Sequence, residues 1–314
     1  MKKTAAFTAL FAGAFAASAA FAQPLPTAAP ESVGLSSEKL ARLTEVIKSK
    51  IAEGRYPGAV ALVARKGKIA YFEALGVRDT ATGAPMTKDA IFRLYSMTKP
   101  FTSVAIMMLV EEGKILLGDP VSKFLPKLKG MQERIFAPLR MTDTAFHVPA
   151  AKAARIAQPF PKDPVSGADV KLLDVTLPPK NDAGGAGSAG TAMDYARFSQ
   201  MLLNGGQLDK ARLLGRATVA QMTADHVGDI KIAAPALARG YGFGLGFAVR
   251  RETGLNSMTG SAGEYRWGGA GDTAFWVDPK EQMVVVWMAQ GQPGPRRNED
   301  RELFRNLVQA AIVD

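Results

Sequence analysis

Between residues 35 and 54, apolar side chains return at Leu40, Leu43, Val46, Ile47 and Ile51, which predicts an amphipathic helix with Ser36 as its cap. Two short runs follow, Gly58 to Arg65 and Lys68 to Glu73, both rich in strand-forming residues. The two-residue Lys66-Gly67 turn between them predicts a hairpin. Residues 101–112 then read as a helix that is apolar on nearly every side. The stretch from Pro159 to Gly190 is rich in Pro, Asp and Gly and reads as loop. Thr191-Ala192-Met193-Asp194 opens another helix with a capping-box pattern, and Gly205-Gly206 stops it. Strands are predicted at 241–251, at about 264–277 and at 282–290, with a turn at Asp278-Pro279-Lys280-Glu281. Asn298 is read as the cap of a last helix, whose apolar pairs are Leu303/Phe304, Leu307/Val308 and Ala311/Ile312. Helix–hairpin at one end and hairpin–helix at the other predict an α+β fold: one antiparallel sheet flanked by the N- and C-terminal helices.

Ser96-Met97-Thr98-Lys99 lies at the start of the buried helix, so Ser96 and Lys99 share a face one turn apart. A serine hydroxyl is inert at neutral pH unless a neighbour takes its proton, and an amine three residues on can reach it. Burial lowers a lysine's pKa by disfavouring the charged form, and N–H groups at a helix start favour developing negative charge. The rival reading of Ser96 is a plain helix cap. A second Ser-x-x-Lys, Ser36-Ser37-Glu38-Lys39, shows how readily the pattern arises: there the lysine falls on the polar face, so a cap and a solvated lysine are expected.

Met1-Lys2-Lys3, an Ala/Phe/Leu-rich stretch and Ala20-Phe21-Ala22 together predict a secretory signal peptide over residues 1–22. The mature chain from residue 23 to 314 is then expected in the periplasm or outside the cell, without stable membrane insertion. The absence of cysteine excludes disulfides, a thiol nucleophile and cysteine–metal sites. His147 and His226, the two histidines, have no ligand-spaced companion and suit neither a zinc site nor a Ser-His-Asp triad. The net charge of +10 is dispersed, and its densest stretch, Lys123 to Lys129, has only Phe124 as an aromatic neighbour. A nucleic-acid partner is therefore not indicated.

Several motifs in order carry a resemblance: Arg93-Leu94-Tyr95-Ser96-Met97-Thr98-Lys99-Pro100, Ile135-Phe136-Ala137-Pro138-Leu139-Arg140-Met141-Thr142-Asp143-Thr144, Asp194-Tyr195-Ala196-Arg197-Phe198, Tyr241 to Gly246, and Trp267-Gly268-Gly269-Ala270 with Phe275-Trp276-Val277-Asp278-Pro279. Over most of its length the chain resembles the serine β-lactamase-fold hydrolases, the group of class C β-lactamases, family VIII carboxylesterases and D,D-peptidases. The resemblance implies a β-lactamase/transpeptidase-like fold with a helical lobe over roughly 96–225. It makes Ser96 the acylated nucleophile and Lys99 its proton partner, and pairs the N–H groups of Ser96 and Ala270 as an oxyanion hole. Trp267, Gly268, Gly269 and Ala270 are the implied substrate-binding strand, and no cofactor or metal is implied. Glycines at 268 and 269 would let a strand approach a ligand closely, with a plain bulge as the lesser alternative. Trp267 stands where β-lactamases carry a lysine, and an indole cannot hold a substrate carboxylate by charge. Small neutral esters are therefore expected as substrates ahead of penicillins or D,D-peptides.

One departure matters. The family's Tyr-x-Asn or Tyr-Ser motif, which shares the proton transfer, is missing: Leu125-Pro126-Lys127-Leu128-Lys129-Gly130 runs almost directly into Met131. None of the six tyrosines begins Tyr-x-Asn or Tyr-x-Ser. Loss of one positioned acid–base group removes roughly a hundred- to ten-thousand-fold in rate, so impaired activity is expected. The lobe is shortened near residue 130, which should leave the 101–112 helix short of neighbours and favour self-association. Three rivals remain: a non-catalytic member that binds cell-wall-like ligands, an α/β-hydrolase with Ala186-Gly187-Ser188-Ala189-Gly190 as its nucleophile elbow, and a defective gene product with no function of its own.

Overall fold

A computed structural model of the chain describes residues 24–119, 130–179, 183–230, 237–291 and 295–314. The expected signal peptide and the basic stretch from Lys123 to Lys129 lie outside them. The helices are α1 (Ser37–Ala52), α2 (Lys99–Glu111), α3 (Ala192–Leu203), α4 (Arg216–Met222) and α5 (Pro295–Ala310). The strands are β1 (Gly58–Arg65), β2 (Lys68–Asp79), β3 (Ala84–Pro85), β4 (Phe92–Arg93), β5 (Ala189–Gly190), β6 (Gln207–Leu208) and β7 (Ala211–Arg212). They continue with β8 (Tyr241–Phe243), β9 (Ala248–Arg250), β10 (Tyr265–Gly269), β11 (Thr273–Asp278) and β12 (Met283–Ala289).

Eight strands form one antiparallel sheet in the order β3-β2-β1-β12-β11-β10-β9-β8. Every residue of β1 and β12 is buried, because helices cover both faces. Ala59, Ala61 and Val63 of β1, with Val285 and Trp287 of β12, join Leu43 of α1 and Phe304 and Val308 of α5. Val60, Leu62, Val284 and Val286 point the other way, into a core with Phe101 of α2 and Phe198 of α3. Period-two alternation thus feeds two cores at once. The β1–β2 hairpin turns at Lys66 and Gly67, both at positive φ (52° and 74°), as its two-residue loop requires.

Several boundaries differ from the sequence expectation. The 241–251 run is two short strands, β8 and β9, and the 264–277 run is the β10–β11 hairpin, which turns through Asp272 at φ 72°. Helix α5 begins at Pro295, so Asn298 lies inside it rather than capping it. Thr191 does cap α3, accepting the Asp194 N–H at 3.2 Å. Asp194 leaves the box unreciprocated, since its carboxylate accepts from the Asp143 N–H (2.8 Å) and the Thr144 hydroxyl (2.9 Å). Helix α2 finds more neighbours than expected. Its Phe101 packs on Phe136, Tyr195 and Phe198 at ring separations of 4.6 to 5.1 Å. Ile106, Met108 and Val110 remain half-buried, and Leu116 and Leu117 beyond the helix are exposed.

Candidate active site

Ser96 sits in a 3-10 turn, Tyr95–Thr98, that runs straight into α2. The residue at the N-cap of α2 is Thr98, and no side chain caps there. Ser96 is therefore free of capping duty, and the Lys99 amine donates to its Oγ at 2.9 Å. The same amine donates to the Gly185 carbonyl at 2.8 Å. Partial loss of hydration lowers the Lys99 pKa below the ordinary lysine value, in the direction that makes a neutral, proton-accepting amine more available. When that amine is neutral, the hydrogen bond reverses and the Ser96 hydroxyl donates.

The turn is held in an uncommon shape. Tyr95 has φ 47°, a left-handed conformation that a bulky side chain adopts only under constraint. Its hydroxyl accepts the Leu173 N–H at 2.8 Å. The Tyr195 hydroxyl of α3 donates to the Met97 carbonyl at 2.9 Å, and the Thr273 hydroxyl of β11 donates to the Leu94 carbonyl at 3.2 Å. Gly269 shows why strand β10 can lie so close: a Cβ there would stand 2.2 Å from the Leu94 oxygen. A Cβ on Gly271 would meet the Tyr95 ring at 2.8 Å. These two glycines admit the Ser96 turn against the sheet, a reason beyond the ligand approach expected from sequence.

Ser96, Trp267, Gly268, Gly269 and Ala270 line one cleft of about 670 Å³. Strand β9 pairs with β10 only at Tyr265 and Arg266, so Trp267 to Gly269 have no strand partner on that side. The indole of Trp267 packs edge-on against Phe243 at 5.3 Å, and its N–H has no hydrogen-bond partner. Sequence reasoning missed the far wall, which comes from Asn256, Ser257 and Met258 and from Asn298, Arg301 and Glu302 of α5. Arg301 is tied down, donating to Asp272 at 2.9 Å and to the Gly269 carbonyl at 3.1 Å. It also missed Gly185. Neither contribution has a local spacing that could have announced it.

Among the described residues no tyrosine hydroxyl bonds Ser96 or Lys99. Tyr95 and Tyr195 hold the turn as described, Tyr241 donates to Glu264, and Tyr71 meets Thr44. Tyr56 stacks edge-on against Trp287, and Tyr265 lies in the core against Phe247. Ser188 is buried, with its hydroxyl 2.7 Å from that of Thr98, so the proposed elbow offers no accessible nucleophile. His147 and His226 bond the carbonyls of Thr176 and Gln221.

The family profile described as Beta-lactamase matches residues 43–130 and 128–310. The chain belongs to the beta-lactamase family. The profile's two matched pieces meet where the beta-lactamase chain was expected to be shortened. A Mycobacterium tuberculosis relative described only as an uncharacterized protein is 25% identical over 350 aligned residues, covering 76% of this chain and 87% of its own. That alignment is longer than the present chain, so the relative carries length that this one lacks. Esterase EstB of Burkholderia gladioli is 42% identical over 101 residues, 32% of this chain and 26% of EstB. Among solved structures, EstCE1, described as a hydrolase with promiscuous acyltransferase activity, superposes with a TM-score of 0.73 at 21% identity. The match covers 88% of this chain and 99% of EstCE1. The fold is that of the serine hydrolases of this family, and no helix among the described residues is long and apolar enough to cross a membrane.

Proposed function

We propose that this chain is an exported serine hydrolase that forms an acyl-enzyme on Ser96 with small carboxylic esters, and that it turns over slowly. The observation that carries the reading is the 2.9 Å contact between Ser96 Oγ and Lys99 Nζ at the mouth of a cleft walled by Trp267 to Ala270. The neutral Lys99 amine takes the Ser96 proton as Oγ attacks the ester carbonyl. The oxyanion that forms is met by the N–H groups of Ser96 and Ala270. Collapse breaks the ester C–O bond, and the leaving alkoxide takes the proton held on Lys99. Water then attacks the acyl carbonyl, releases the acid and returns the proton to Ser96.

Ester preference is supported by Trp267, which lines the cleft without bringing a charge to it, and by the partial match to an esterase. Slow turnover follows from the absence of any tyrosine hydroxyl on Ser96 or Lys99. Export rests on the signal-like residues 1–22.

The test is intact-mass spectrometry of the chain from residue 23 after exposure to a fluorophosphonate probe, beside Ser96→Ala. The expected result is one adduct, absent in the variant. No adduct on a folded chain would favour a non-catalytic ligand binder. Faster turnover of a chromogenic cephalosporin than of p-nitrophenyl butyrate would overturn the ester preference.

A further inference from the structure

Gln290, directly after β12, is almost fully buried, which is unusual for glutamine unless its amide is bonded. Its Oε1 accepts the Arg93 backbone N–H at 3.1 Å and an Arg93 guanidinium N–H at 3.4 Å. Its Nε2 donates to the carbonyls of Gly271 (3.0 Å) and Ala289 (2.9 Å), with the Arg93 carbonyl at 3.5 Å. The partners settle the orientation of the amide: an N–H group must face its oxygen, and carbonyls must face its nitrogen.

Those partners sit on two segments that no element joins directly. Arg93 ends β4, three residues before Ser96. Gly271 lies in the β10–β11 turn, one residue after Ala270. Backbone bonds from Ala289 to Asp272 (3.1 Å) and from Gly291 to Gly271 (3.1 Å) already tie the end of β12 to that turn. Gln290 extends the tie to the Ser96 segment at Arg93, beside the bond from the Thr273 hydroxyl to the Leu94 carbonyl. The turn it steadies holds Tyr95 at φ 47°, a conformation that persists only where its surroundings enforce it.

We infer that Gln290 is a positioning residue: it sets the spacing between the Ser96 and Ala270 N–H groups by linking the segments that carry them. An apolar side chain could fill the same volume, but it could not join Arg93 to Gly271. The inference rests on the proposed role of those N–H groups. A misplacement of about 1 Å in such a site costs on the order of a hundredfold in rate.

The test uses the full chain with Gln290→Leu and Gln290→Glu, and Gln290→Met should the leucine variant fail to fold. Fluorophosphonate labelling is resolved into a saturating probe concentration and a limiting rate, and amide hydrogen exchange is followed at 93–97 and 269–272. Gln290→Leu is expected to lower the limiting rate by about ten- to a hundredfold with the saturating concentration unchanged, and to speed exchange in both segments together. Gln290→Glu keeps the acceptor for Arg93 but loses the donor to Gly271, so exchange is expected to rise at 269–272 only. A merely structural role would reduce the folded fraction and leave the limiting rate of the folded protein as it was, which would overturn the inference. If the unsubstituted chain fails to label at all, the proposed nucleophile fails. Hydrogen exchange then decides the linkage: paired loss of protection supports it, and unchanged exchange overturns it.

Discussion

In Ser36-Ser37-Glu38-Lys39 the first serine is extended (φ −87°, ψ 118°), and its oxygen accepts the Lys39 backbone N–H at 3.2 Å. The Lys39 amine turns away and donates to the Ala310 carbonyl at the end of α5, 2.8 Å away. In Ser96-Met97-Thr98-Lys99 the serine is already inside a helical turn, and no side chain caps the helix behind it. Its oxygen receives the lysine amine itself. The two tetrapeptides thus differ in where the helix begins relative to the serine. An N-cap serine folds back onto backbone N–H groups, whereas a serine within the turn presents its side chain to the residue three positions on. A pattern of four residues acquires chemistry from the backbone conformation at its first position.

The largest effects should separate the two serines. Ser96→Ala is expected to abolish fluorophosphonate labelling, while Ser36→Ala leaves the rate per folded molecule unchanged; equal losses would erase the distinction. The lysines follow the same division. Lys99→Met should slow labelling by roughly a hundred- to ten-thousand-fold, and Lys39→Met should leave it alone, as measured by adduct formation over time. In the unsubstituted chain, labelling should rise with pH as Lys99 loses its proton and level off below the ordinary lysine value of 10.5. A rise that persists in Lys99→Met would assign it to another group.

Reading that pH profile requires keeping stability apart from reactivity. Burial raises the Asp194 carboxyl to about 7 from an ordinary 3.8, outweighing the hydrogen bonds it accepts from the Asp143 N–H and the Thr144 hydroxyl. The folded state therefore binds this proton more tightly than the unfolded chain. Its stabilising contribution is complete below about pH 4 and fades as the pH rises to about 7. Denaturation midpoints across that window should fall, and Asp194→Asn should flatten the fall; an unaltered slope would place the ionisation elsewhere. The smallest effect belongs to the cap. Ser36→Ala should cost about 1 kcal/mol of stability, while Ser96→Ala should stay within about 0.5 kcal/mol, both read from urea unfolding.

The apolar stripe of α1 and the runs of β1 and β12 were legible because each buries through a local period. The boundaries that shifted lie where local signals compete. Asn298 suits a helix cap, yet α5 starts earlier, at Pro295, whose fixed φ fits a first turn. The broken 264–277 run turns at Gly271 and Asp272, where the chain must leave room for the Tyr95 ring. The expected shortage of neighbours for α2 was overstated, since Phe136 and Phe198 close on Phe101 from segments whose approach no spacing encodes.

By itself the sequence determined the layered antiparallel sheet and its terminal helices, along with the Lys66-Gly67 hairpin and the shared face of Ser96 and Lys99. All of these follow from contacts within a few residues or from a repeating period. Only the tertiary structure decided that Gly269 admits the Leu94 carbonyl, that α5 walls the cleft and that Gln290 joins Arg93 to Gly271. It alone decided that no tyrosine hydroxyl among the described residues bonds Ser96 or Lys99. Such contacts join segments distant along the chain, and their existence depends on how closely two packed elements approach, a distance that no local pattern of residues records.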